Sequence, residues 1–185
     1  MRIPNSMRVI ILLLGFAAPV RASTWSIGAC AGFDIVTAGA GSSVLVLGAP
    51  VGNEFTTAGV HPGLRIGRWD AGQHHQVFAD LGLLSLSGTG FTLHSTAATI
   101  NYAYAFRSGT SPYLTAGVGF ARLAGQYSSA SSTLLGAGFG GRQRLAHDHG
   151  ALRVEARYDH TGSNREYPKP LNTIGVRFGF DLDLN

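Results

Sequence analysis

Residues 171–184 read Leu171-Asn-Thr-Ile-Gly-Val-Arg-Phe-Gly-Phe-Asp-Leu-Asp-Leu184. From Ile174 onward, Ile174, Val176, Phe178, Phe180, Leu182 and Leu184 are large and apolar. The residues between them, Gly175, Arg177, Gly179, Asp181 and Asp183, are glycine or charged. An unbroken period of two puts one set on each face of an extended strand. Strands in soluble sheets usually run about five or six residues. A strand of this length, with one wholly apolar face and one polar, glycine-rich face, predicts lipid on one side and a polar interior on the other.

The same alternation recurs upstream. Trp25, Ile27, Ala29, Ala31, Phe33 and Ile35 alternate with Ser26, Gly28, Cys30, Gly32 and Asp34. Comparable strands are predicted at about 55–68, 76–86, 91–106, 113–120, 135–144 and 152–159. Pro62 cannot donate a ladder hydrogen bond, so a bulge is expected there. The alternation fails at Leu84 and Leu86, which take the inward parity. The stretch 37–54 reads as a long connection whose core, Val44 to Leu47, adds a short hairpin or packs against the barrel mouth. The Ser-rich segment 125–132 and the segment 161–170 read as loops. Eight strands result, an even number. The links after the second, fourth and sixth are short, and those after the first, fifth and seventh are longer, which is the asymmetry of bacterial outer-membrane barrels. The predicted fold is all-β, an eight-stranded antiparallel up-and-down transmembrane barrel.

Bulk properties agree with this reading. Residues 1–22 resemble an export signal, with Arg2 and Arg8 before an apolar run at 9–20 and the small-residue site Val20-Arg21-Ala22. Cleavage there would leave a single barrel domain at 23–185. It would also remove Arg2, Arg8 and Arg21, lowering the basic count from 14 to 11 against 10 acids, a net charge of +1. The whole-chain excess of base therefore gives no case for nucleic acid. No later apolar run reaches the roughly twenty residues of a helical span, and without one a membrane protein must be a closed barrel. Cys30 is the only cysteine. Arg21, Ser23, Thr24 and Trp25 separate it from the apolar run, so it reads as an interior side chain in preference to a lipidation site.

An eight-stranded barrel is filled by its own side chains. The inward parity collects Arg65, Asp80, Arg142, Arg144, Arg153, Glu155, Arg157, Asp159 and Arg177. Buried unpaired charges are costly, so these are expected to form an ion-pair network. Pairing the last two strands about their loop predicts a Glu155–Arg177 pair. A narrow ion-conducting path is the alternative use of the same charges. Tyr102, Tyr104 and Phe106 take the outward parity at a strand end, where an aromatic belt at the bilayer boundary is expected.

Three stretches, Tyr-Leu-Thr-Ala-Gly-Val-Gly-Phe at 113–120, Leu-Arg-Val-Glu-Ala-Arg-Tyr-Asp-His at 152–160 and Asn-Thr-Ile-Gly-Val-Arg-Phe-Gly-Phe at 172–180, resemble the small outer-membrane β-barrel domain family, the porin-like barrels of OmpA/OmpX type. The resemblance implies the outer membrane of a Gram-negative envelope as the address, and outer-membrane lipid and lipopolysaccharide as surroundings. Its members have many functions or none known. The role it implies here is structural, adhesive or envelope-interacting, carried by the loops at 37–54, 125–132 and 161–171, with the loop partner open. The last strand also resembles the signal read by the barrel-assembly machinery, which favours an outward terminal aromatic. Here those aromatics are Phe178 and Phe180, followed by Asp-Leu-Asp-Leu-Asn.

A second resemblance points to an enzyme. Tyr158-Asp-His160-Thr-Gly-Ser163-Asn164 is similar to the His-x-Ser-Asn motif of the lipid A deacylases, in which a His and a Ser on the lipid-facing surface carry out acyl transfer. Gly162 is inserted between them. Asn172 and Gly175 stand in the region of the family's orienting glutamate, leaving Glu166, in the loop, as its substitute. His74, His75, His147, Asp148 and His149 fall in turns well separated around the barrel, so no metal site is expected. The Gly-x-Gly runs at 136–140 lie inside a strand with no helix after them, so no phosphate-bearing cofactor is expected either. Arg122, outward near the external end of its strand, reads as a partner for lipopolysaccharide phosphates or as a snorkelling side chain.

Overall fold

The computed structural model of the chain describes residues 23–38, 42–46, 63–88, 91–125, 129–145, 149–164 and 170–184. They form nine strands: β1 (Thr24–Ala38), β2 (Ser42–Val46), β3 (Gly63–Trp69), β4 (His75–Gly88), β5 (Phe91–Ala105), β6 (Ser111–Gly125), β7 (Ser129–Arg144), β8 (Gly150–Thr161) and β9 (Leu171–Leu184). Each pairs antiparallel with its neighbours in the order β2-β1-β3-β4-β5-β6-β7-β8-β9, and β1 also pairs with β9. Fourteen rungs, from Trp25↔Leu184 to Ala38↔Leu171, close the barrel. In the lower half, where β3 joins β1 to β4, the ring of pairings is continuous, which is what a sheet in lipid requires.

Eight strands make the closed wall, and the ninth is β2. It pairs with the upper half of β1, from Asp34↔Val46 to Ala38↔Ser42, while β3 pairs with the lower half, from Thr24↔Trp69 to Cys30↔Gly63. The apolar Val44 to Val46 therefore belongs to a short hairpin with β1. Pro62 and residues 55–62 of the expected second strand lie outside the described residues. The Ser-rich segment read as a loop is mostly strand. Ser129, Ser131 and Ser132 pair with Ala124, Arg122 and Ala121 on β6. Their composition reflects a polar wall above the apolar band, and the ladder runs on through it. At Leu84 and Leu86 the backbone continues as strand to Gly88, and their side chains lie outside the described residues.

The connections β3–β4, β5–β6 and β7–β8 are short and lie at one end, here called the lower end, with Thr24 and Leu184. At the first of them Asp70 Oδ1 accepts the backbone N–H groups of His74 and His75, each at 2.8 Å. Gln73 takes a left-handed φ of 55° and Gly109, in the next turn, one of 79°. A side-chain cap and a glycine are the ordinary means of turning a chain this sharply.

Burial alternates along most of the wall. On β8 Ala151, Arg153, Glu155, Arg157 and Asp159 are buried, and Leu152, Val154, Ala156 and Tyr158 are exposed. The exposed side is apolar: Phe120 is 64% exposed, Leu64 62%, Ile174 61% and Ile100 51%. Exposed apolar surface on this scale is a liability in water and is the expected outer surface in hydrocarbon. Ile100→Arg, on the outward face of β5, is accordingly expected to cost about 2–4 kcal/mol when the barrel is folded into phospholipid vesicles. A urea titration of the vesicle-bound protein measures it, and a cost under about 0.5 kcal/mol would contradict a lipid-facing position. The interior carries the opposite chemistry. Its apolar part is a small cluster of Trp69, Phe78, Ala103, Ala105 and Tyr113 toward the lower end.

Candidate functional site

Above and around that cluster the interior is a column of ion pairs, built from inward side chains of facing strands. At the lower end Arg142 donates to both oxygens of Asp183 at 3.2 and 3.0 Å, and Arg144 reaches the same carboxylate at 3.2 Å. The Arg142 guanidinium also lies 4.6 Å from the centroid of the Trp69 ring and donates to Gln73 at 3.3 Å. Higher up, Arg153 Nε meets Asp181 at 2.6 Å, with both side chains buried. Arg65 grips Asp80 through Nε and Nη2 at 2.7 and 2.8 Å and stacks 3.6 Å over Phe78. This two-point contact is the strong geometry for a guanidinium and a carboxylate.

Glu155 is the hub. It accepts from Tyr113 at 3.0 Å, from Thr115 at 3.3 Å and from Arg157 at 3.4 Å, and lies 3.8 Å from Arg65. Arg157 in turn donates to Asn101 and to Asp159, each at 2.8 Å. Arg177 completes the group on Asp159 at 2.6 Å. Glycines opposite this group leave the room it needs. A Cβ on Gly136 would run into the Asp159 carboxylate and the Arg157 guanidinium, and one on Gly140 would lie 2.7 Å from the Tyr113 ring.

The inward charges balance. Arg65, Arg142, Arg144, Arg153, Arg157 and Arg177 face Asp34, Asp80, Glu155, Asp159, Asp181 and Asp183. Six positive groups therefore meet six carboxylates among the described residues. In a poorly solvated interior each unpaired charge costs several kcal/mol, so a balanced and hydrogen-bonded set is the arrangement that can be buried. Chemically the column has no reactive pair: its parts hold one another in place.

The predicted Glu155–Arg177 pair needs correction. Their register is as expected, since Glu155 stands opposite Arg177 on β9. Arg177, however, reaches diagonally up the wall to Asp159, while Glu155 is occupied by Tyr113, Thr115 and Arg157. The carboxylate that Arg177 reaches stands four rungs from its own, and strand pairing alone does not fix such a choice.

On the outer surface, Tyr102, Tyr104 and Phe106 form an exposed column toward the lower end. Tyr104 and Phe106 meet edge to face at 5.5 Å, and His75 across the ladder lies 5.4 Å from Tyr104 and shares a 2.6 Å hydrogen bond with the Tyr102 hydroxyl. Toward the upper end His160 Nδ1 lies 2.7 Å from Asn172 Oδ1, which also accepts the Tyr158 hydroxyl at 2.8 Å. Ser163 is exposed in the segment after β8. There the Gly162 N–H bonds to the Thr133 carbonyl at 2.9 Å, and the Asn164 amide bonds to the Ser132 hydroxyl. Among the described residues no hydrogen bond joins His160 to Ser163, and Glu166 lies outside them. No group of three metal-ligating side chains occurs among the described residues.

No protein-family model matches the chain, and no curated protein sequence matches it. Solved structures do. The crystal structure of Neisserial surface protein A is similar at a TM-score of 0.65, with 17% identity over 89% of this chain and 100% of that one. Ail, the attachment invasion locus protein of Yersinia pestis, solved with the heparin analogue sucrose octasulfate, is similar at 0.51, with 15% identity over 89% and 100%. The chain has the fold of the small outer-membrane barrels.

Within this fold, the inward set named from sequence omitted the acids that matter most at the lower end. Asp181 and Asp183 already carried the inward parity of residues 174–184. Their partners Arg153, Arg142 and Arg144 become apparent only when β8 and β9 are aligned and the barrel is closed. The uncharged members, Asn101, Tyr113 and Thr115, gave no signal beyond that parity.

Proposed function

We propose that this chain is an outer-membrane barrel, carried out of the cytoplasm by residues 1–22, inserted by the barrel-assembly machinery and surrounded by outer-membrane lipid and lipopolysaccharide. In this reading the lower end faces the periplasm, and the upper end displays the connections β1–β3, β6–β7 and β8–β9. These connections carry a structural, adhesive or envelope-interacting role. The observation that supports it is the neutral ion-pair column: it fills the barrel with fixed side chains, which leaves the loops as the place for interaction. The channel reading gains no support from charges that neutralise one another. The hydrolase reading gains none from a His160 that bonds Asn172 and not Ser163.

Separating the membranes of cells expressing the chain is expected to place it in the outer fraction as a heat-modifiable band. The purified barrel is expected to show no conductance steps in a planar bilayer. Replacing residues 126–128 and 165–169 with Gly-Ser linkers is expected to abolish attachment of those cells to a sulfated-polysaccharide surface without lowering the amount of barrel. Ohmic conductance would favour the channel. Attachment unchanged by the loop replacement would remove the adhesive role.

A further inference from the structure

Two arginines point outward from the strands among the described residues. Arg68, at the lower end, donates to the Ser23 hydroxyl at 2.5 Å and lies 5.9 Å from the Trp25 ring centroid. Arg122, in the upper half of β6, is exposed and has no hydrogen bond, ion pair or ring contact among the described residues. Its neighbours on the same face are hydroxyls on both sides: Thr96 of β5 and Ser131 of β7 stand directly opposite it, and both are exposed. Side chains opposite one another on a sheet face have Cβ atoms about 5 Å apart. The wall thus presents one guanidinium flanked by two hydroxyl donors, with no carboxylate on that row.

Immediately below lies the row Ala98, Phe120 and Thr133. Phe120 is 64% exposed, the largest exposure among the big apolar side chains. A cation with two hydroxyl donors matches the oxygens of a phosphate, and Arg is suited to such a group. An apolar ring directly beneath matches an alkyl chain. A ligand that satisfies both is amphiphilic and lies along the wall.

We infer that Thr96, Arg122 and Ser131 form a headgroup site for the phosphate of an outer-leaflet lipid whose acyl chain covers Phe120. The inference rests on the proposed membrane orientation, in which the upper end meets the outer leaflet. The two small hydroxyl residues let the phosphate approach the wall, and the guanidinium supplies the charge at the boundary where the apolar band ends.

The test uses the full barrel folded into phosphatidylcholine nanodiscs, with native mass spectrometry counting retained lipid A. Wild type is expected to retain diphosphorylated lipid A, and Arg122→Gln to retain about tenfold less, the factor expected for one charge-assisted contact. Arg68→Gln is expected to match wild type, and dephosphorylated lipid A to bind wild type no better than Arg122→Gln binds the diphosphorylated form. Equal retention by wild type and Arg122→Gln would overturn the site. Displacement of lipid A from wild type by millimolar inorganic phosphate would overturn the assignment to a lipid. Should Arg122→Gln fail to fold, Thr96→Val with Ser131→Ala is read in the same way. Flotation of wild type with vesicles tests the membrane reading separately: a barrel that does not float removes that reading, and one that floats yet does not discriminate removes only the site.

Discussion

Asp181→Ala is expected to destabilise the barrel by about 3–5 kcal/mol, the cost of stripping a buried charge of its partner. Asp181 is fully buried and holds Arg153 at 2.6 Å, and the Arg153 side chain is only 3% exposed. Without the carboxylate, the guanidinium is left in the interior with no ion-pair partner. Arg153→Met alone leaves Asp181 equally stranded. The double variant, which removes both charges, is expected to recover most of the loss, because a buried pair is worth little net while a broken one is costly. Urea titration of the barrel folded in phospholipid vesicles measures all three. Single variants within about 0.5 kcal/mol of wild type would show that this part of the column is solvated and that its pairing is not what the wall depends on.

The second large effect is steric. Gly119 of β6 pairs with Thr99 of β5. A Cβ there would collide with the carbonyl oxygen of Ala98 and lie 2.7 Å from the Thr99 Cα. Those are backbone atoms of the adjoining strand, so no rotamer change relieves the clash and the β5–β6 ladder has to move. Gly119→Val is therefore expected to cost about 3 kcal/mol, the upper end for overpacking, and to lower the temperature at which the folded band disappears on a gel. Gly141→Val is the matched control. It lies on the exposed face of β7 with nothing within 4 Å of an added Cβ, and valine suits a strand, so a change within about 0.5 kcal/mol is expected. Equal effects at the two positions would mean that the close approach at Gly119 is relieved elsewhere in the wall.

Much of the wall was legible in the residues because one rule governs it: every second side chain meets hydrocarbon. That rule located β1 and β3 to β9 and set which residues face inward. It failed above the band where hydrocarbon ends. At Ser129 to Ser132 a polar strand above the apolar band has no alternation to betray it, and its composition imitated a loop. Val44 to Leu47 left a short hairpin and packing against the barrel mouth both open, because four apolar residues are too short a run to show a period. The pairing inside was legible only in part. Parity chose the candidates, and register placed Glu155 opposite Arg177. Arg177 goes to Asp159 because Glu155 is already taken by Tyr113 and Thr115 of β6, distant in sequence, and by Arg157 beside it on β8. His160 follows the same logic: Asn172, opposite it on β9, holds the imidazole, a contact that only the β8–β9 register makes visible.

The balance of the interior also fixes what the closing strand brings with it. Of the inward groups, β9 contributes Arg177, Asp181 and Asp183, a net −1. The wall from β1 to β8 holds Arg65, Arg142, Arg144, Arg153 and Arg157 against Asp34, Asp80, Glu155 and Asp159, a net +1. An open sheet of eight elements thus carries Arg142 and Arg153 without the carboxylates they meet here, and its inward set becomes neutral when β9 zips against β8 and β1. The seam is an electrostatic latch as well as a hydrogen-bonded one: the strand that completes the ladder also delivers the charge the rest of the barrel lacks.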